Sequence, residues 1–217
     1  MINFIVMNGN SDSVKKLYKS AKDVLNSNIT FKPTSWNCKI SGSGTWAYVA
    51  CGDSELEILN RVIAKQSGIC LVNGPVLRMK DRNDVAEAGL EASSSESAEF
   101  IFEETSGSYN FLSITSKNGL IAFGDFSGTC PIYYTNYDGV TCVSNRASSL
   151  NSLIGGDDYN KSSLSWLIGH SNIFGEETPF KNVKSITAGN YLKCPIGSSE
   201  YKIIKFSNQV WPSADQS

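Results

Sequence analysis

The sequence predicts a layered α+β fold in which strands outnumber helices. Three observations predict it. Short apolar runs bounded by turn residues recur along the chain, four of them within residues 108–144. Several, such as 45–51, are apolar on both faces, the pattern of a sheet covered on both sides. Helical spacing occupies the intervals between strand groups, at 11–25, 55–63, 83–92, 96–105 and 161–168. Two sheets packed on each other, with helices outside, satisfy all three.

The elements follow in order. Residues 2–7 (Ile-Asn-Phe-Ile-Val-Met) read as a buried strand. A helix comes next, with Ser11 or Asp12 as its cap. Val14, Leu17, Tyr18, Ala21, Val24 and Leu25 recur at helical spacing until Asn26-Ser27-Asn28 ends it. Short strands are expected at 29–33 and 36–41, then at 45–51. Leu56, Leu59, Val62 and Ile63 favour a short helix over 55–63. Ile-Cys-Leu-Val-Asn at 69–73 is a strand that stops at Gly74-Pro75. Two helices at 83–92 and 96–105 are joined by Ser93-Ser94-Ser95, read as a surface connection. Strands at 108–115, 119–125, 131–135 and 139–144 turn at Lys117-Asn118-Gly119 and Tyr137-Asp138-Gly139, where Asn-Gly and Asp-Gly are strong hairpin signals. A short helix at 161–168 and strands within 182–194 and 200–206 complete the fold.

At 217 residues, 41% hydrophobic and 18% charged, the chain suits one large domain, expected over 1–206. Residues 207–217 read as a polar tail or linker. Net charge is −2, and the only basic run (Arg78, Lys80, Arg82) is interrupted by Asp81 and Asp84. No nucleic-acid partner is expected. The apolar start, Met1 to Met7, is too short for a signal peptide, and no stretch approaches the ~20 residues of a membrane span. The expectation is a cytoplasmic chain with no membrane partner. Six dispersed cysteines (Cys38, Cys51, Cys70, Cys130, Cys142, Cys194) form no C-x-x-C pair, and His170 is the only histidine. No metal site is predicted, and most of the cysteines are expected to be small buried apolar residues.

Three stretches then stand in a telling order: Gly107-Ser-Tyr-Asn-Phe-Leu-Ser-Ile-Thr, Leu120-Ile-Ala-Phe-Gly-Asp-Phe-Ser-Gly-Thr-Cys-Pro-Ile-Tyr-Tyr, and Val143-Ser-Asn-Arg-Ala-Ser-Ser-Leu. The series resembles the "G-x-F-x-F … R-D-x-x-G-x-x-P-L-Y-Y … S-E-x-x-A-L" run of class II glutamine amidotransferase domains, those that begin asparagine synthetases and β-lactam synthetases. Thr178-Pro-Phe-Lys-Asn-Val-Lys-Ser-Ile-Thr-Ala-Gly-Asn-Tyr-Leu is similar to the segment that closes such domains, and Leu71-Val-Asn-Gly to their "N-G" strand end. The resemblance implies the four-layer αββα sandwich of N-terminal-nucleophile hydrolases.

It also implies chemistry that this sequence lacks. Glutamine hydrolysis in that family uses an N-terminal cysteine, whose own α-amino group is the base. Here Ile2 occupies the nucleophile position, so no catalytic residue is assigned. Ser11 lies beyond the first strand, and His170 has no evident nucleophile to serve. The family's substrate-binding arginine has Arg61 as its only candidate, and its aspartate position holds Ser97 or Ala98. Asn73-Gly74 matches the pair that stabilises the oxyanion in active relatives, although Asn-Gly is also a good turn after any strand. Asn73, Gly74 and Ser97 thus form the expected vestigial pocket. Asp125 and Gly128 read as turn residues. The synthetase half's phosphate loop, "S-G-G-x-D-S", is absent; Gly155-Gly156-Asp157-Asp158 lacks the preceding strand and the serines, and no cofactor is expected.

The leading expectation is therefore a non-glutaminase domain that packs against an ATP-dependent amide-forming domain or partner chain and shapes its substrate entrance. A homodimer is the other assembly considered. The alternatives are an amidase with an unorthodox nucleophile, such as Cys70, and a small-molecule sensor using the vestigial pocket.

Overall fold

The first strand is apolar on both faces because both faces are covered. β1 (Asn3–Gly9) lies inside a sheet. Phe4 and Val6, with Ile2 just ahead of the strand, point into one core, while Ile5 and Met7 point into another beneath helix α1 (Ser11–Ser27). The structure, a computed structural model, describes residues 2–30, 32–78, 85–171, 173 and 175–206, with Leu77 and Arg78 by backbone alone. Most of the predicted basic run, the start of the helix expected at 83–92 and the tail 207–217 lie outside the described residues.

The chain continues through β2 (Ser35–Ile40), β3 (Trp46–Gly52), α2 (Glu55–Arg61), β4 (Val62–Lys65), β5 (Gly68–Asn73), β6 (Val76–Arg78), α3 (Val85–Ser95), α4 (Ala98–Glu104) and β7 (Ser106–Gly107). Then come β8 (Asn110–Thr115), β9 (Gly119–Gly124), β10 (Ile132–Tyr137), β11 (Val140–Ser144), α5 (Ala147–Leu153), α6 (Lys161–His170), β12 (Lys184–Ile186), β13 (Asn190–Cys194) and β14 (Lys202–Lys205). Two antiparallel six-stranded sheets result, in the orders β12-β10-β11-β1-β3-β2 and β14-β13-β9-β8-β5-β4, with β6 and β7 as a separate pair.

Residue alternation builds the layers. Phe4, Val6, Tyr48 and Ala50 of the first sheet meet Ile69, Leu71, Leu112 and Ile114 of the second in a shared inner core. The outward residues of the first sheet, including Val49, Cys51 and Cys142, pack under α1 and α5 with Leu17, Leu25 and Leu150. Those of the second, including Cys70, Val72, Phe111 and Phe123, pack under α3 and α4 with Leu90 and Ile101. Phe206 closes that outer core, its ring stacked 4.0 Å from Phe102.

Local departures from the sequence reading have physical causes. Asn10, not Ser11 or Asp12, caps α1, accepting the Asp12 N–H at 3.0 Å; the Ser11 hydroxyl instead donates to the Ser43 carbonyl. The described part of 29–33 is loop, not strand. Ile63 belongs to β4, because Val62–Lys65 pair with β5 once α2 has ended. Helix α5 was not anticipated. Ser93-Ser94-Ser95 is the last turn of α3 rather than a connection: the Ser94 and Ser95 hydroxyls donate back to the Leu90 and Glu91 carbonyls. The hairpin turns form as expected, with Asp138 and Gly139 both at positive φ (51° and 72°).

Candidate functional site

The head of β1 meets the end of β5, and three asparagines join them. The Ile2 N–H donates to Asn73 Oδ1 at 3.0 Å in the buried interior. Asn73 Nδ2 donates to Asn110 Oδ1 at 3.2 Å, and Asn110 Nδ2 donates to the Cys130 and Pro131 carbonyls at 2.7 and 3.2 Å. On the other side, Asn145 Nδ2 donates to the Ile2 carbonyl (2.9 Å), and the Phe4 N–H donates to Asn145 Oδ1 (3.2 Å). The β1–β11 ladder ends at Ser144, so the Asn145 side chain supplies the bonds that the next ladder residue would have made. Ile2 is fully buried, and Asn73 and Asn110 are nearly so. Both peptide groups of Ile2 and both ends of the Asn73 amide are thereby engaged, as buried polar groups must be.

Gly74 follows at φ +105°, where a Cβ would lie 2.2 Å from the Ser108 carbonyl oxygen; only glycine fits this turn. Arg61, at the end of α2, turns back to it: Nη1 donates to the Gly74 carbonyl at 2.6 Å. Its Nε lies 3.9 Å from Glu57 Oε1 one turn earlier. Glu57, Asn60 and Arg61 of α2 face Val72, Gly74, Pro75, Val76 and Val85 across a cavity of about 430 Å³. The structure thus brings Ile2, Asn73, Gly74 and Arg61 to one end of the two sheets.

The remaining candidates lie elsewhere. Ser97 is exposed and caps α4, accepting the Phe100 N–H at 3.3 Å; it does not line the cavity. Ala98 is buried beneath the same helix. Cys70 sits on the outer face of β5, opposite to Asn73 by strand alternation, and a Cβ at Gly89 would come within 2.8 Å of its sulfur. His170 is on α6 with its ring against Trp166. Asp125 organises the loop after β9. Its buried carboxylate accepts from the backbone N–H groups of Ser127, Thr129 and Cys130 and from the hydroxyls of Ser127 and Thr129. Burial pushes its carboxyl up, but these hydrogen bonds outweigh it and hold the group below the usual carboxylate range. Gly128 is the turn residue there, at φ +68°. Among the described residues, no three His, Cys, Asp or Glu side chains gather where they could hold a metal ion. None of the described helices is long and apolar enough to cross a membrane.

Comparison with known proteins separates sequence from shape. No family model matches the sequence, and no curated protein matches it. Solved structures do. Glutamine phosphoribosylpyrophosphate (PRPP) amidotransferase from B. subtilis, complexed with ADP and GMP, superimposes with a TM-score of 0.56 over 96% of this chain at 9% identity. A structure described as the allosteric regulatory enzyme of purine biosynthesis does so with a TM-score of 0.52, also at 9% identity. The chain shares its fold with the matched half of these chains. It spans half the length of the chains it matches. At this identity the likeness is one of fold alone.

The structure gathers Asn73, Gly74 and Arg61, which the sequence reading named, with Asn110 and Asn145, which it did not name. A signal existed for both. Asparagine is disfavoured in strands, yet Asn110 opens the strand Asn-Phe-Leu-Ser-Ile-Thr, and Asn145 directly follows the strand Val-Thr-Cys-Val-Ser. Such residues are kept where their amides have buried partners.

Proposed function

We propose that this chain is a non-hydrolysing amidotransferase-like domain that structurally supports an ATP-dependent, asparagine-synthetase-like amide-forming domain or partner chain. One observation carries the first half. The oxyanion-type amide, Asn73, is closed into a buried network with the backbone of Ile2, and residue 2 offers no nucleophilic atom. A working site of this type needs a nucleophile beside a donor free to meet the developing oxyanion. Here one N–H of the candidate donor amide is committed to Asn110, its oxygen is held by the Ile2 N–H, and the neighbouring side chain is a hydrocarbon. Cys70 offers no substitute, because it is buried on the other face of its strand.

The amide-forming partner rests on the motif resemblance to asparagine and β-lactam synthetases. In this reading residues 1–206 form the supporting domain, 207–217 lead toward the partner, and the protein works in the cytoplasm. Ammonia release from glutamine tests the first half, with Cys70→Ala as control: sustained release above the buffer rate ends the reading. Co-expression with synthetase-type chains tests the second. The expected result is a complex whose amide-forming turnover with free ammonia falls when this domain is omitted; unchanged turnover refutes the supporting role.

The cavity favours a second reading, a small-molecule sensor. Its volume falls in the range of ligand sites, and α2 presents a carboxylate and a guanidinium on its wall. Thermal-shift screening with amino acids tests it, and no shift with any of them removes it.

A further inference from the structure

An open sheet edge is a place where a further strand can add. The two six-stranded sheets have four edges, and three are short: β12 has 3 residues, β14 and β4 have 4 each. The fourth, β2, has 6. It contains no proline, and it pairs with β3 from Ser35 to Ile40 without a register shift. The Ser41 N–H donates to the Trp46 carbonyl at 2.9 Å in the turn beyond it. By antiparallel alternation, Asn37 and Lys39 then turn their main chain toward β3, while Trp36, Cys38 and Ile40 turn theirs outward. Because β2 ends its sheet, this row of N–H and C=O groups meets no further strand.

A row of lysines runs beside that edge. Lys15, Lys19 and Lys22 share one side of α1. Lys15 stands by the β2–β3 turn, where a Cβ on Gly44 would lie 2.8 Å from its Cε. Lys22 stands at the other end of β2, its Nζ 5.0 Å from the centroid of the Trp36 ring. Lys19 falls between them. All three are exposed, as is Lys39 of β2 itself. Among the described residues none of these four lysines forms an ion pair. The acidic residues of α1, Asp12 and Asp23, lie further round the helix, toward Lys16. From Asp23 to Asp53 the sequence has no other acidic residue, although the whole chain is net negative at −2.

These two features select the occupant. Outward N–H and C=O groups in alternation are matched by another polypeptide strand; a nucleic-acid backbone has no N–H row to offer the carbonyls. A second copy of β2 would set one lysine row against another, and like charges across paired strands destabilise them. A strand with a carboxylate at every second residue would place those side chains on the helix side, beside Lys15, Lys19 and Lys22.

We propose that β2 is a docking edge for an extended acidic segment of a partner protein, which adds to the first sheet as a seventh strand under the lysine row of α1. The site is independent of whether the domain hydrolyses glutamine.

Fluorescence anisotropy on the full chain tests it, with a labelled peptide of alternating glutamate and threonine matched to β2 in length. The peptide should bind, and added salt should weaken binding. Combining Lys15→Glu, Lys19→Glu and Lys22→Glu should weaken it by about tenfold or more. Cys38→Pro should do the same, because it removes an outward N–H while leaving the bonds to β3 in place. The circular dichroism spectrum should be unchanged in both variants. Hydrogen exchange of the wild type supplies a readout free of folding effects: saturating peptide should slow the amides of Trp36, Cys38 and Ile40 and leave those of β12 as they were. No binding at about 500 μM peptide overturns the proposal. So does equal binding of a lysine–threonine peptide or of single-stranded RNA, and so does binding that leaves the three amides unprotected.

Discussion

Replacing Asn73 by alanine separates a structural strut from a dormant catalytic donor. The side chain accepts the Ile2 N–H and donates to Asn110 Oδ1, both in the buried interior. Truncation leaves one donor and one acceptor without partners. Each unsatisfied buried group costs about 1–3 kcal/mol, so the pair amounts to about 2–6 kcal/mol. For a domain of this size, each kcal/mol lowers the melting temperature by about 2–4 °C, which predicts a fall of about 4–24 °C. Thermal unfolding followed by circular dichroism measures it. Pairing Asn73→Ala with Asn110→Ala should cost less than the sum of the two, because they break a shared bond. A fall of under 2 °C would refute the network: Asn73 would then be held by nothing that its amide supplies.

Two further predictions follow from buried groups. Asp125 has a lowered carboxyl pKa, so its hydrogen-bonded loop contributes stability that is present above the unfolded value near 3.9 and is lost as pH falls through the lower folded value. Asp125→Asn should destabilise by about 1–3 kcal/mol at neutral pH and flatten the acid limb of a stability–pH profile; an unchanged acid limb refutes the assignment. Of the six thiols, Cys38 is exposed and Cys130 half-buried, while Cys51, Cys70, Cys142 and Cys194 are buried. Native protein treated with a chromogenic disulfide reagent should show one fast thiol, lost in Cys38→Ser, with the four buried thiols reacting only on unfolding. Burial pushes the Cys38 thiol up, partly offset by Lys22, so the fast phase should still be accelerating above the ordinary thiol range.

The layers were legible because strand alternation and helical spacing are local, and both survive in the inner and outer cores. The candidate site was legible only in part. Asn73-Gly74 and Arg61 announce themselves by residue type, whereas Ser97 was placed by motif position alone and proves to be a helix cap. Asn110 and Asn145 were missed because their role depends on which strand ends meet, and that is set by sheet order rather than by neighbours in sequence. α5 was missed for a related reason. Its short run, Ala-Ser-Ser-Leu-Asn-Ser-Leu, has weak helical character, and it is stabilised by Leu150 and Leu153 packing onto the first sheet.

Placing a cysteine at residue 2 should not by itself create glutaminase chemistry. In Ile2→Cys the sulfur would start in the inner core, where Ile2 has no solvent exposure. The nitrogen of residue 2, following Met1, is a peptide nitrogen that donates to Asn73; it has no basic lone pair to take the thiol proton, as the free amine of an N-terminal nucleophile does. The Asn73 amide would remain bound to Asn110 rather than turned toward an oxyanion. The variant should therefore lose about 1–3 kcal/mol of stability from the smaller core side chain and release ammonia from glutamine no faster than the wild type. Mass spectrometry must first show that Met1 is retained, since its removal would create a free amine at residue 2. With Met1 in place, a tenfold rise in ammonia release would mean that the asparagine network opens readily and that a thiol at residue 2 is enough for hydrolysis, which would count against the proposed non-hydrolysing role.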